Sequence, residues 1–193
     1  MLINKHLEGC SDVVDLACGN SSPLQHINSI IYKVGIDLYE PYINESKTNS
    51  YHDEYHCMDV LESHSKFGDN SFDATVALDL IEHLDKKQGY ELINMMEKMS
   101  RKRVIIFTPN GFLKQGEYDG NNLQIHNSGW TVDEFQSLGF EVIGVGGLKF
   151  FRGELGRIRF RPIYFWNFLS FISDNFFRNP KSSFQLLCIK DME

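Results

Sequence analysis

Val13-Val14-Asp15-Leu16-Ala17-Cys18-Gly19-Asn20-Ser21-Ser22-Pro23 is an apolar run that carries a carboxylate and then breaks into small residues. Val13, Val14 and Leu16 bring the bulky side chains of a buried central strand, and Ala17, Cys18 and Gly19 let the backbone turn sharply and approach a ligand closely. In an open α/β sheet the ligand crevice lies beyond the carboxyl ends of the strands, near the point where strand order reverses. Function is therefore expected at the loop that follows Leu16. The same pattern also fits a strand and tight turn in any α/β protein.

Outward from this stretch, the chain repeats one theme: an apolar strand that ends near a carboxylate. Pro23 to Ser29 reads as a short helix capped by Ser21 or Ser22, and Ile30 to Ile36 as a second strand. That strand ends in Asp37, 22 residues after Asp15, close to the spacing at which dinucleotide folds place a ribose-binding carboxylate. Asp37 fits a helix-capping role as well, since Pro41 suits the first turn of the next helix. Glu54 to Val60 gives a third strand, with Asp59 near its end, and alone this aspartate would be a solvated loop residue. Ser71 to Asp79 is apolar on both faces and reads as a central parallel strand, continued by Leu80-Ile81-Glu82-His83-Leu84.

The second half follows the same logic. Asp85 with Gln88 forms a capping-box pattern, and Leu92, Met96 and Met99 recur at helical spacing as core packing. Arg103 to Phe107 is a fifth strand that stops at Thr108-Pro109-Asn110-Gly111. The long loop from Phe112 to Gly129 is a candidate lid or rim. Thr131 with Glu134 makes a second capping box, Phe140 to Val145 reads as a sixth strand, and Ser183 to Ile189 as the last.

These residues together resemble the class I, Rossmann-like S-adenosylmethionine-dependent methyltransferase family. That family usually shows acidic-x-Gly-x-Gly-x-Gly after the first strand; here the three glycine places hold Ala17, Gly19 and Ser21. Asp79-x-x-Glu82-His83-Leu84 is the most specific single match, and His126-x-Ser128-Gly129-Trp130-Thr131 is similar to a subset of the family. The resemblance implies an α/β fold: a doubly wound, mostly parallel seven-stranded sheet with an antiparallel last strand and helices on both faces. It implies S-adenosyl-L-methionine as cofactor. Asp15, Ala17, Cys18, Gly19 and Asn20 would then lie beside its methionine portion, Asp37 and Leu38 at the ribose, and the Asp59 carboxylate with the Val60 amide at the adenine. Asp79, Leu80 and His83 would flank the methionine from the fourth strand. The likeness covers about residues 13–145 and the last ten. A rival expectation is a nucleotide-binding or regulatory module without catalysis, suggested by the two missing glycines. A dehydrogenase fits less well.

Composition narrows the remaining choices. The 193 residues, 42% hydrophobic and 13% aromatic, suit a single domain over 1–193. A net charge of −7 argues against a nucleic-acid binder, so a small-molecule acceptor is expected. Cys10, Cys18, Cys57 and Cys188 form no Cys-x-x-Cys pair and no His cluster has metal-ligand spacing, so no metal is expected. With neither a secretory signal nor a span of membrane length, a cytoplasmic protein is expected. His126 is the candidate general base, with a backbone-bonding role before the helix as the alternative. Residues 146–180 depart from the minimal fold: six basic and two acidic residues stand among ten aromatic ones. This basic, aromatic insertion is expected to cover an anionic or lipid-linked acceptor, with contact to a membrane surface through 150–178, a homodimer interface or an extra core helix as the other readings.

Overall fold

A computed structural model describes residues 2–117, 120–153, 156–176 and 179–192, with side chains omitted for 174–176. Seven strands form one sheet: β1 (Asp12–Leu16), β2 (Tyr32–Asp37), β3 (Glu54–Cys57), β4 (Phe72–Leu78), β5 (Ser100–Pro109), β6 (Glu141–Leu148) and β7 (Ser183–Asp191). Their order is β3-β2-β1-β4-β5-β7-β6, and β7 runs antiparallel to both neighbours. The chain leaves β1 toward one edge through β2 and β3, then returns through β4 on the other side. This reversal opens a crevice beyond the ends of β1 and β4, where Leu16 pairs with Ile36 and Ala77.

Strand periodicity divides the core between two faces. Val14, Leu16, Val34, Ile36, Val104 and Ile106 point to one side, where Leu92, Met96 and Met99 of α4 (Lys86–Met99) and Phe135 of α5 (Val132–Ser137) cover them. Val13, Ala74, Val76, Ile105 and Leu187 point to the other, under Ile3 of α1 (Leu2–His6), Leu7, Leu24 and Ile27. Helices α2 (Glu40–Asn49) and α3 (Ser63–Phe67) complete the first half, and α6 (Ile163–Phe176) packs on β6. No helix among the described residues is long and apolar enough to cross a membrane.

Several boundaries differ from the sequence expectation. Pro23–His26 is a single 3-10 turn rather than a helix to Ser29, because Ile27 already returns to extended backbone and buries its side chain. The third strand ends at Cys57, since Asp59 caps a 3-10 turn at Val60–Glu62 through a 2.9 Å bond from the Leu61 amide to its Oδ1. Within 146–180, β6 runs on to Leu148 and α6 follows. Glu154 and Arg178 of this segment lie outside the described residues.

Candidate active site

The loop after β1 turns through left-handed backbone at Ala17 and Gly19, both with φ of +59°, and the Cys18 amide donates to the Ile36 carbonyl at 2.9 Å. Loop and second strand are thereby held together. Asp37 strengthens the link: its Oδ2 accepts the Gly19 amide at 2.9 Å and its Oδ1 the Tyr39 amide at 2.8 Å. Burial raises the Asp37 pKa, against the opposing pull of the Tyr39 and Gly19 amides. Each oxygen of a carboxylate can accept a second hydrogen bond, so Asp37 can both pin the loop and receive a pair of vicinal hydroxyls.

A cavity of about 390 Å³ opens above these groups, within the size range of small-ligand sites. Ala17 and Gly19 form one wall, Asp37, Leu38, Asp59 and Val60 come from the ends of β2 and β3, and Asp79, Leu80 and His83 follow β4. The long loop contributes Asn121 to Gln124 and Asn127, so it forms a rim over this cavity. The donor set fits an adenosyl group with an amino-acid tail: carboxylates for ribose and amine donors, and the backbone of a tight turn for close approach.

Asp15, Cys18 and Asn20 do not line this cavity. Asp15 is buried, where its Oδ2 accepts the Ser22 hydroxyl and stands 3.0 Å from His52 Nε2; it braces the loop from beneath. Ser22 in turn caps the Pro23 turn through the Leu24 amide. The Cys18 thiol points inward, and burial, then Asp15 and Asp37, push its pKa upward. The Asn20 amide group donates to Glu45 at 2.8 Å. Placement of these three near the ligand in sequence reflects chain proximity, but each side chain is directed elsewhere.

At the end of β4 a second group of polar side chains converges. Asp79 holds left-handed backbone, φ +51°, with its amide bonded to the Phe107 carbonyl at 2.8 Å. Glu82 is buried; its Oε2 accepts the Thr108 hydroxyl at 2.9 Å, while its Oε1 has no hydrogen-bond partner among the described residues. Burial raises the pKa of Asp79 to about 6, and burial together with the Asp79 charge raises that of Glu82 well above the ordinary glutamate value.

His83 and His126 stand edge to face, 4.8 Å apart. His83 Nδ1 lies 3.2 Å from the Ile125 carbonyl and His126 Nδ1 2.6 Å from the Leu113 carbonyl. A carbonyl only accepts, so each Nδ1 carries the proton and each Nε2 the lone pair. Burial lowers both pKa values, that of His83 to about 4. Both rings are neutral at neutral pH. Ligating atoms of Glu82, His83 and His126 lie within 4.8 Å of one another. The sequence reading missed this cluster because His126 stands 43 residues beyond His83. The Glu-His pair at a strand end and a histidine in the facing loop were its only signals.

A second cavity, about 610 Å³, lies on the far side of Asp79 and His83, with Glu82, His126, Arg152 and Arg157 in its wall. Arg152 is committed to its own loop, donating to the carbonyls of Gly146 and Gly156 at 3.0 and 3.1 Å. A third, apolar cavity of about 290 Å³, bounded by Leu2, Ile3, Leu78 and Phe107, also reaches Asp79. Asp79 therefore stands where three compartments meet.

Residues 14–107, from the first strand to the fifth, match the methyltransferase domain family. The sequence has no match among curated proteins. Solved structures share its fold. A SAM-dependent methyltransferase from Archaeoglobus fulgidus is 16% identical with a TM-score of 0.65, over 98% of this chain and 93% of that one. Magnesium protoporphyrin IX methyltransferase from Synechocystis, solved with bound SAM, is 14% identical with a TM-score of 0.56, over 100% and 74%. The small RNA methyltransferase HEN1 is 19% identical with a TM-score of 0.63, over 100% of this chain but 24% of that protein. At these identities the likeness to each is one of fold. The match over residues 14–107 and the seven-stranded architecture are those of the class I, Rossmann-like S-adenosylmethionine-dependent methyltransferase family.

Proposed function

We propose that this enzyme methylates a hydroxyl group of a small-molecule acceptor. One observation carries the reading: a cofactor-sized cavity and a polar cavity meet at Asp79 and His83, with a neutral His126 on the polar side. S-adenosylmethionine bound in the first cavity supplies an electrophilic methyl group, which passes to the acceptor oxygen as the carbon–sulfur bond breaks and S-adenosylhomocysteine is left. The protein's part is chiefly to align the two reactants. Asp37 and Leu38 hold the ribose, Asp59 and the Val60 amide hold the adenine, and Ala17, Gly19 and Leu80 fit the methionine portion. His126 Nε2, with its lone pair directed by the Leu113 bond, accepts the acceptor's hydroxyl proton. Arg157 offers a cation to an anionic substituent. A net charge of −7 on the chain argues against nucleic acid as the acceptor. Its four cysteines are free, which suits the reducing cytoplasm.

A specific observation favours a divalent cation at the same junction: buried Glu82 Oε1 lacks a partner beside two histidines with free lone pairs. Bound there, the cation would polarise the acceptor hydroxyl and lower its pKa.

Calorimetry tests the reading. Asp37→Ala should weaken S-adenosylmethionine binding by about 1–3 kcal/mol, the usual loss when donors are left unpaired; unchanged affinity would refute the assignment. His126→Ala should keep cofactor affinity and lose turnover across a panel of hydroxylated acceptors. Titration with manganese should show one site in the native enzyme and none in Glu82→Gln; equal heats in both would remove the cation from the proposal.

A further inference from the structure

Helix α6 is amphipathic in the inverse sense. Its side toward β6 carries Ser170 and Ser173, both buried, and Ser173 Oγ donates to the Ser170 carbonyl at 2.7 Å while accepting the Leu148 amide at 3.0 Å. The contact is close: a Cβ on Gly147 would lie 2.4 Å from the Ser170 carbonyl oxygen. Its outward side carries Tyr164, Phe165 and Phe168, which are 90%, 54% and 59% exposed. Tyr164 and Phe168 stand four apart and Phe165 and Phe168 three apart, so they share one stripe. Phe150, 65% exposed, extends the patch, since its ring lies 5.2 Å from Phe160, which lies 5.1 Å from Trp166.

Charge on this patch has one sign. Arg157, Arg159 and Arg161 are exposed and lead into the helix, and the sequence from Gly156 to Ser173 holds no aspartate or glutamate. Contiguous apolar surface of this kind marks a contact site. We propose that α6 and the arginines before it form a docking surface for an anionic lipid bilayer. The helix lies in the interface plane, Phe165 and Phe168 enter the acyl boundary, and Arg159 and Arg161 meet lipid phosphates. Tyr164 and Trp166 bring an apolar body with a polar tip, the chemistry favoured at that depth. At 14 residues the helix is about 21 Å long, too short to span and long enough to lie flat. A second copy docked through the same patch would set arginine against arginine across a two-fold axis, which is why lipid is the better occupant. This inference is independent of the acceptor.

Sedimentation of the full chain with vesicles tests it. The protein should co-sediment with phosphatidylcholine vesicles containing phosphatidylglycerol, much less with phosphatidylcholine alone, and less as salt rises. Arg159→Gln and Arg161→Gln should each weaken binding about fivefold, as about 1 kcal/mol per basic residue implies. Phe165→Ser with Phe168→Ser should abolish it while S-adenosylmethionine affinity stays unchanged. Trp166 emission should shift to the blue with anionic vesicles, against the constant background of buried Trp130. Absence of sedimentation and of the shift would overturn the proposal. So would a dimer in ultracentrifugation that the two serine substitutions dissolve, or salt-sensitive binding of RNA in place of vesicles.

Discussion

Ala17 shows how a single side chain is shaped by the demands of a turn. Its φ of +59° places an L-residue in left-handed backbone, which costs about 1–2 kcal/mol relative to the right-handed region. Glycine would relieve that strain, at the expense of a more flexible unfolded chain worth about 0.4–1 kcal/mol. Ala17→Gly should therefore raise stability by about 0.5–1 kcal/mol, seen as a higher melting temperature; a lower one would show that the alanine methyl packs in a way that matters more than φ. Asp15 and Asp37 illustrate the same scale from the electrostatic side. Both are strand-end aspartates, yet only Asp37 faces the cavity, because Asp15 points to the sheet face where Ser22 and His52 receive it.

Among the elements, α4 depends most on one close approach. Its start is set locally: Asp85 Oδ1 accepts the Gln88 amide at 2.8 Å, and Gln88 Oε1 accepts the Asp85 amide at 3.2 Å. Its packing is set by Gly89, where a Cβ would lie 2.3 Å from Cζ2 of fully buried Trp130. Lys86 Nζ stands 3.6 Å over the same indole, so the helix grips Trp130 from two sides. Gly89→Ala should cost about 1–3 kcal/mol through overpacking, despite the better helix propensity of alanine. Denaturant titration measures this. Since Trp130 leads into α5 behind the His126 loop, a loss of turnover larger than the loss of stability would mean that this grip also positions His126.

Across the whole molecule, the sheet is clamped at the end opposite the site. Asp12, Asp73, Arg101 and Lys102 join β1, β4 and β5: Arg101 Nε reaches Asp73 at 3.0 Å, its Nη2 reaches Asp12 at 2.5 Å, and Lys102 reaches Asp73 at 2.9 Å. Burial alone would raise the Asp73 pKa, but the Ser11 amide and the two cations overcome it and hold the value below the usual one. A depressed folded pKa stabilises the fold above the unfolded-chain value of about 3.9, and that stability is lost as pH falls through the folded value. Asp73→Asn should thus be less stable than the native chain at neutral pH, with the gap narrowing below about pH 3.9. Urea midpoints at the two pH values read this directly; a constant gap would mean that the cluster's ion pairs contribute nothing.

What the amino-acid order determined by itself is whatever depends on near neighbours. Alternation in Val13–Leu16 and Phe72–Leu78, the two capping boxes, the turn after Leu16 and the carboxylates at three strand ends are all readable within a few residues, because strand, helix and turn are local in origin. The antiparallel last strand was expected from the family likeness and is present. Tertiary structure alone decided which of those carboxylates face a ligand, since one residue of register sends a side chain to the opposite face of the sheet. It also decided that Glu82 and His83 meet His126 across a 43-residue interval, and that α6 turns its serines inward and its aromatics out. Neither arrangement has a local cause. The first follows from Asn127 and Ser128 amides bonding to the Glu82 carbonyl, the second from the narrow approach to Gly147, and both arise only when strands distant in sequence are hydrogen-bonded into one sheet.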